Sequence, residues 1–202
     1  MKIGIVDSGG ANLASIQFAL DRIGSQSFVS SKVDQLIKAD KLLLPGVGAA
    51  KKAMQTLHTH GLVKFLQTSQ QPILGICLGM QLLFEDSEEG QVECLGLLPG
   101  KVKSIPVKRG YSIPHMGWNQ LDILKPNPIT NNIPQNSYVY FVHSYYAELS
   151  SCCIASTDYH INMSAIVETQ GVWGCQFHPE RSGVIGAKIL QNFCQYTERR
   201  NK

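Results

Sequence analysis

One thiol in the sequence stands where it could act as a nucleophile. Cys77 lies in Gly75-Ile76-Cys77-Leu78-Gly79, directly after an apolar run and directly before a segment of helical period. Strand, sharp turn and helix in that order form a nucleophile elbow, which strains the turning residue and presents its side chain above the sheet edge. Glycines two places before and after it let strand and helix approach with no Cβ between them. The thiolate is the attacking form, and unpaired amides at a helix start favour it over a thiol that ordinarily titrates near ~8.5. The Leu78 amide would point at the carbonyl oxygen under attack, a donor whose loss typically costs roughly 3 kcal/mol. Taken alone, the pentapeptide also fits a buried cysteine in a tight turn.

Toward the other end of the chain, Phe177-His178-Pro179-Glu180 offers a base and a carboxylate. Pro179 biases His178 toward extended backbone, where residues two apart share a side. Glu180 is therefore expected to bond one imidazole nitrogen and leave the other to exchange a proton with Cys77 and the leaving group. Cys77, His178 and Glu180 then fill the roles of nucleophile, base and orienter. A lone His-Pro-Glu is more often a surface turn, so its weight comes from the elbow. His58, His60 and His160 have no acidic partner at a useful spacing and read as surface residues. Lys51 and Lys52 follow Gly46-Val47-Gly48, but the patterns G-x-x-x-x-G-K-[ST] and G-x-G-x-x-G are both unmet, which argues against a nucleotide loop.

These residues need a scaffold, and the first half of the chain supplies the pattern of βα units around a parallel sheet. Ile3 to Val6 reads as a strand; Leu13, Ile16, Leu20 and Ile23 recur at helical spacing with a stop at Gly24. Leu42 to Leu44 is a second strand, broken by Pro45. Residues 49 to 68 read as helical with a break near Gly61, and Pro72 to Ile76 as a strand feeding a helix over Leu78 to Phe84. From 91 to 175 the stretches Val102 to Val107, Tyr138 to Val142 and Ala165 to Glu168 predict antiparallel additions to the sheet. Trp173 to Phe177 reads as a strand, Pro179 to Gly183 as a loop, and Ile185, Ile189 and Phe193 as one face of a final helix. The fold class expected is α/β, a doubly wound, mostly parallel sheet with antiparallel additions. The region Pro126 to Pro134 is expected to be a surface loop and not a boundary, leaving one domain over 1–202.

Composition agrees with that reading. A chain of 202 residues with 44% apolar and 16% charged residues can build one sizeable core. A net charge of +3 is too mild for a nucleic-acid footprint, and Lys101, Lys103, Lys108 and Arg109 read as a solvated face. Asp7 interrupts the apolar character of Met1 to Leu20, and no run approaches ~18 apolar residues, so no membrane association is expected and the location is read as cytoplasmic. Cysteines 77, 94, 152, 153, 175 and 194 show neither CxxC spacing nor a Cys/His pattern, arguing against a metal site or disulfide framework.

The two motifs together resemble the class I, triad-type glutamine amidotransferases, whose G-x-C-x-G-x-Q matches Gly75 to Gln81 and whose F-H-P-E matches Phe177 to Glu180. Further segments are similar to one branch of that family, glutaminase subunits serving a cyclase of histidine biosynthesis: Asp7 to Leu13, Pro45 to Gly48, His115 to Asn119, Tyr140 to Tyr145 and His178 to Gly183. The resemblance spans essentially the whole chain. It implies a flavodoxin-like fold, hydrolysis of L-glutamine to glutamate and ammonia, no cofactor, and a (βα)8-barrel cyclase subunit as heterodimer partner. That partner would use the ammonia to form imidazole glycerol phosphate and an aminoimidazole carboxamide ribonucleotide. It further implies that Val47 completes the oxyanion hole beside Leu78, and that Gly46, Gly48, Gln81, Ser144 and Tyr145 line the glutamine site. Asn12, Trp118, Asn119 and Arg181 would face the partner. The alternatives are a subunit serving a different synthase and a non-catalytic regulatory subunit. Ser8, Ala11 and Arg181 stand where members often carry an aromatic residue, a glycine and a lysine; they touch the expected partner-facing loops and not the triad. Arg181 keeps the positive charge, but its planar fork is not equivalent to an ammonium.

Overall fold

The structure, a computed structural model, describes residues 1–10 and 13–200; the expectations placed on Ala11 and Asn12 lie outside them. In the first half, β-prone apolar runs alternate with helical segments as β1 (Lys2–Val6), α1 (Leu13–Arg22), β2 (Gln26–Ser30), α2 (Val33–Leu36), β3 (Lys41–Gly46), α3 (Ala50–Thr59), α4 (Leu62–Thr68), β4 (Ile73–Cys77) and α5 (Leu78–Gln81). The second half is strand-rich: β5 (Asp86–Ser87), β6 (Val92–Glu93), β7 (Lys101–Ser104), β8 (His115–Gln120), β9 (Asp122–Ile123), β10 (Tyr138–His143), β11 (Tyr145–Ala147), β12 (Cys153–Asp158), β13 (Asn162–Thr169) and β14 (Val172–Cys175), closed by α6 (Gly183–Gln195).

The main sheet has the order β2-β1-β3-β4-β14-β13-β12-β9. Its first five strands run parallel, and β13, β12 and β9 join antiparallel. Side chains alternate across the sheet, so consecutive leucines of β3 serve opposite layers. Leu43 packs with α1 and α6 through Ile16, Leu20, Ile189 and Phe193. Leu42 and Leu44 pack with α3 and α4 through Met54, Leu57, Leu62 and Leu66. Both faces are covered, which is why β3 and β4 read as unbroken apolar runs. The α/β fold class is the one the sequence pattern implied.

Several local expectations need correction. Pro45 does not break its strand: β3 pairs with β1 only as far as Leu43, while its pairing with β4 continues to Gly46. Past Leu43 one side of β3 is an edge, where a missing N–H removes no ladder bond. The helix after Cys77 ends at Gln81 and not at Phe84. The amides of Leu83 and Phe84 turn back to Met80 and Gln81, and the carbonyls of Leu82, Leu83 and Phe84 accept from the segment Leu95 to Leu98. Tertiary hydrogen bonding thus replaces the helical ladder. Val102 to Val107 shortens to β7, in a four-stranded sheet β11-β7-β5-β6, and Tyr138 to Val142 falls in a β10-β8 pair; neither joins the main sheet. The Pro126 to Pro134 loop is no mere surface strap, because Ile129 and Ile133 are buried in the core under α6. All six cysteines are free and buried. Among the described residues no helix is long and apolar enough to cross a membrane.

Candidate active site

Three neighbouring parallel strands, β3, β4 and β14, end at the same edge of the sheet, with Gly46 opposite Cys77 and Cys175 opposite Ile76. The crevice beyond the carboxyl ends of such strands is where α/β folds bind ligands. Cys77 sits at the end of β4 with φ 54° and ψ −113°, a region that non-glycine residues occupy only when the surroundings force it. The force comes from packing. A Cβ on Gly79 would stand 1.8 Å from the Leu44 carbonyl oxygen, and one on Gly75 would stand 2.6 Å from the Gly79 oxygen. Because α5 is one turn long, polarisation of the thiol must come from nearby amides and not from a long helix dipole.

His178 lies just past β14, fixed by its amide donating to the Tyr140 carbonyl at 2.9 Å and by its own carbonyl accepting from Ser182 Oγ at 2.7 Å. His178 Nδ1 and Glu180 Oε1 are 2.8 Å apart, and both side chains are buried. The contact expected of an extended strand is made differently: Pro179–Arg181 forms a 3-10 turn that curls Glu180 back beneath the ring. Nε2 is buried with no hydrogen bond of its own. Burial alone would lower the pKa of this ring, but the adjacent Cys77 sulfur and the Glu180 carboxylate outweigh it and raise the imidazole to about 10.

A group held above its ordinary value is charged more readily in the folded chain. Its stabilising contribution is complete below about 6.5 and is lost as pH rises through about 10. Glu180→Gln removes one of the two groups that favour the charged ring. The wild type should lose stability relative to Glu180→Gln between those pH values in urea titrations, and the variant should lose glutamine hydrolysis by roughly 10²-fold or more, as expected when a catalytic histidine loses its orienter. Parallel pH–stability curves for the two chains would contradict the assignment.

A cleft of about 410 Å³ opens over Cys77 and His178, lined also by Val47, Gly48, Leu78 and Gln81. Ser144 and Tyr145 lie on its wall. The Gln81 side chain is 4% exposed, with Nε2 donating to the Tyr145 carbonyl at 2.9 Å and to Gln176 Oε1 at 3.0 Å. Of the residues singled out in the sequence, Gly46 stands apart. It is packed against the Leu78 side chain and the Gly79 amide, and it faces a smaller cavity of about 120 Å³ shared with His178, Glu180 and Arg181. Trp118 is exposed on β8, across from Tyr140, and Arg181 is exposed at the end of the 3-10 turn. The half-buried Asn119 side chain donates to the Asp158 carbonyl at 2.7 Å. Sequence reasoning assigned no role to Gln176, His115 or His143. Gln176 is fully buried and aims Nε2 at the Cys77 sulfur at 4.0 Å; its position next to Phe177-His178 was the available signal.

The doubly wound sheet, the strained cysteine and the buried imidazole–carboxylate pair are the features of an amidotransferase of the triad type. The family model for glutamine amidotransferase class-I matches residues 5–196, and the chain belongs to that family. It is 47% identical over 193 residues to the imidazole glycerol phosphate synthase subunit HisH of Xanthomonas euvesicatoria pv. vesicatoria (strain 85-10), covering 96% of each chain. To the subunit of the same name from Haemophilus influenzae (strain ATCC 51907 / DSM 11121 / KW20 / Rd) it is 45% identical over 195 residues, covering 96% of this chain and 98% of the relative. Within the class, its branch is that of the HisH subunits. Among solved structures, PurLQS from Thermotoga maritima superposes with a TM-score of 0.73 at 21% identity, covering 98% of this chain and 99% of that one. The glutaminase domain of Trypanosoma brucei CTPS gives 0.61 at 16% identity, with both chains fully covered. Those two likenesses speak to the fold alone.

Proposed function

We infer that the chain, acting as one domain over 1–202, hydrolyses L-glutamine to glutamate and ammonia and hands the ammonia to a (βα)8-barrel cyclase subunit that forms imidazole glycerol phosphate in histidine biosynthesis. The observation that carries the chemistry is the meeting of a strained Cys77 and a Glu180-bonded His178 in one cleft that also contains Gln81. The Cys77 thiolate attacks the side-chain amide carbon of glutamine, and the amides of Leu78 and Val47 hold the oxyanion that forms. His178 protonates the leaving nitrogen, ammonia departs, and a water deprotonated by the same ring hydrolyses the glutamyl thioester. Gln81, Gly48, Ser144 and Tyr145 hold the amino-acid end of the substrate.

Ammonia becomes mostly ammonium in neutral water and loses its nucleophilicity, so delivery to a second site benefits from a sheltered route. Val47 lines the cleft, Arg181 follows Glu180, and Trp118 lies across from Tyr140, whose carbonyl holds the His178 amide; all three are exposed and support docking of the cyclase there, with Asn12 as a further contact. Six free thiols fit a reducing cytoplasm. Ammonia release from glutamine is expected to be slow for the chain alone and to rise at least about tenfold when the barrel subunit and its acceptor ligand are added, a coupling of ordinary allosteric size. Full-speed hydrolysis by the isolated chain would defeat the partner-activation reading.

A further inference from the structure

A hydrogen-bonded pair of buried histidines borders the cleft through His143, and the reaction above does not use it. His115 and His143 face each other across the β8–β10 ladder, with His115 Nδ1 and His143 Nε2 3.0 Å apart. His143 Nδ1 is 2.8 Å from the Tyr145 carbonyl, and His115 Nε2 is 3.3 Å from Asn119 Nδ2. Stacking on Tyr159 at 4.0 Å and on Phe141 at 4.8 Å fixes the plane of the His115 ring.

The chemistry of the partners orders every proton in this chain. A carbonyl only accepts, so His143 carries its proton on Nδ1 and donates it to Tyr145. Burial lowers the pKa of His115 to about 4 and that of His143 to about 3, so both rings are neutral and each has one N–H. His143 Nε2 is then an acceptor, His115 must donate from Nδ1, and His115 Nε2 accepts from Asn119. The Tyr145 carbonyl has a second lone pair, filled by Gln81 Nε2. The other Gln81 N–H goes to Gln176 Oε1, which turns Gln176 Nε2 toward Cys77. A flipped Gln81 amide would set its oxygen against the carbonyl of Tyr145. The Gln81 oxygen is thereby the atom left for an ammonium in the cleft.

We propose that His115 and His143 are positioning residues for glutamine: a neutral, single-tautomer pair that ties the Asn119 end of β8 to the Tyr145 carbonyl and so fixes which way the Gln81 and Gln176 amides face the substrate and the sulfur. This rests on the glutaminase reading above. It differs from a purely structural role because the pair holds in place the Tyr145 carbonyl, the acceptor that sets amide polarity inside the cleft.

The test combines two readouts on the full-length chain. Nitrogen NMR of the wild type should show both rings as Nδ1–H tautomers that do not titrate between about pH 5 and 8, the window in which an ordinary histidine changes charge; an Nε2–H tautomer on either ring overturns the relay. His143→Phe, assayed alone and with the barrel subunit, should raise KM for glutamine roughly tenfold, the size expected from removing one hydrogen bond from a buried carbonyl, with kcat changed far less. His143→Asn, which can return an N–H to about the same place, should recover most of the KM. Unchanged KM in His143→Phe, or equal losses in KM and kcat with no recovery in His143→Asn, overturns the positioning role. Should His143→Phe fail to fold, the tautomers and the His143→Asn kinetics still decide. A wild type that does not hydrolyse glutamine overturns the glutaminase reading instead, and the tautomer result then stands by itself.

Discussion

Cys77→Ser is expected to lower glutamine hydrolysis by about 10⁴-fold or more, the scale seen when the nucleophile of a triad is removed, while leaving thermal stability close to wild type. The two side chains are nearly isosteric, and serine tolerates the φ of 54° as cysteine does, so the fold has no reason to change. What changes is ionisation. A serine hydroxyl does not form an anion at neutral pH beside an imidazole, so the attacking species disappears and His178 loses one of the two groups that raise its pKa. Glutamate and ammonia release at saturating glutamine, in the presence of the barrel subunit, is the measurement. Turnover near that of the wild type would remove Cys77 from the mechanism, and with it the functional reading. Of the cysteines, Cys77 lines the cleft, so a small alkylating agent should label the wild type there and leave the serine variant unlabelled at that position.

Gly79→Ala should destabilise the chain by more than about 4 kcal/mol, at the extreme of single substitutions. The sign makes this a demanding test. On helix propensity alone, alanine is favoured over glycine by about 1 kcal/mol, and Gly79 lies within α5. Against that stands a Cβ only 1.8 Å from the carbonyl oxygen of Leu44 and 2.8 Å from its carbon. Both are backbone atoms of a central strand with no rotamer to escape into, so the overlap must move β3 or the elbow. Urea unfolding midpoints for the two chains decide the matter. A stabilised variant would mean that the strand and the turn are not in the close contact described.

How much could be read from the sequence follows the range over which each feature is encoded. Cys77, His178 and Glu180 were legible because each motif is local: glycines two places on either side of a cysteine, and a proline between a histidine and a glutamate. The strands β1, β3 and β4 were legible because burial on both faces leaves unbroken apolar runs. The exits of those elements were not. Whether Pro45 ends a strand depends on which neighbour is paired at that level, and whether a helix continues past Gln81 depends on Leu95 to Leu98 claiming its carbonyls. The route by which Glu180 reaches His178 is not legible either, since a 3-10 turn delivers the carboxylate where the proline pattern predicts extended chain. His115 and His143 lay in plain view in the sequence, but their pairing depends on the register of two strands separated by a long connection, which no local pattern encodes. The same non-local pairing takes Tyr138 to Val142 out of the main sheet.

The position of β14 between β4 and β13 has a bearing on when activity can arise. During synthesis Cys77 emerges before His178, and the strand that leads into His178 is the one that fills the open side of β4. A nascent chain halted before residue 172 therefore holds a thiol with no proton acceptor beside a sheet with an unzipped flank. On the proposed mechanism, a product abandoned at that stage would be prone to aggregate through its open strand edge but unable to squander glutamine.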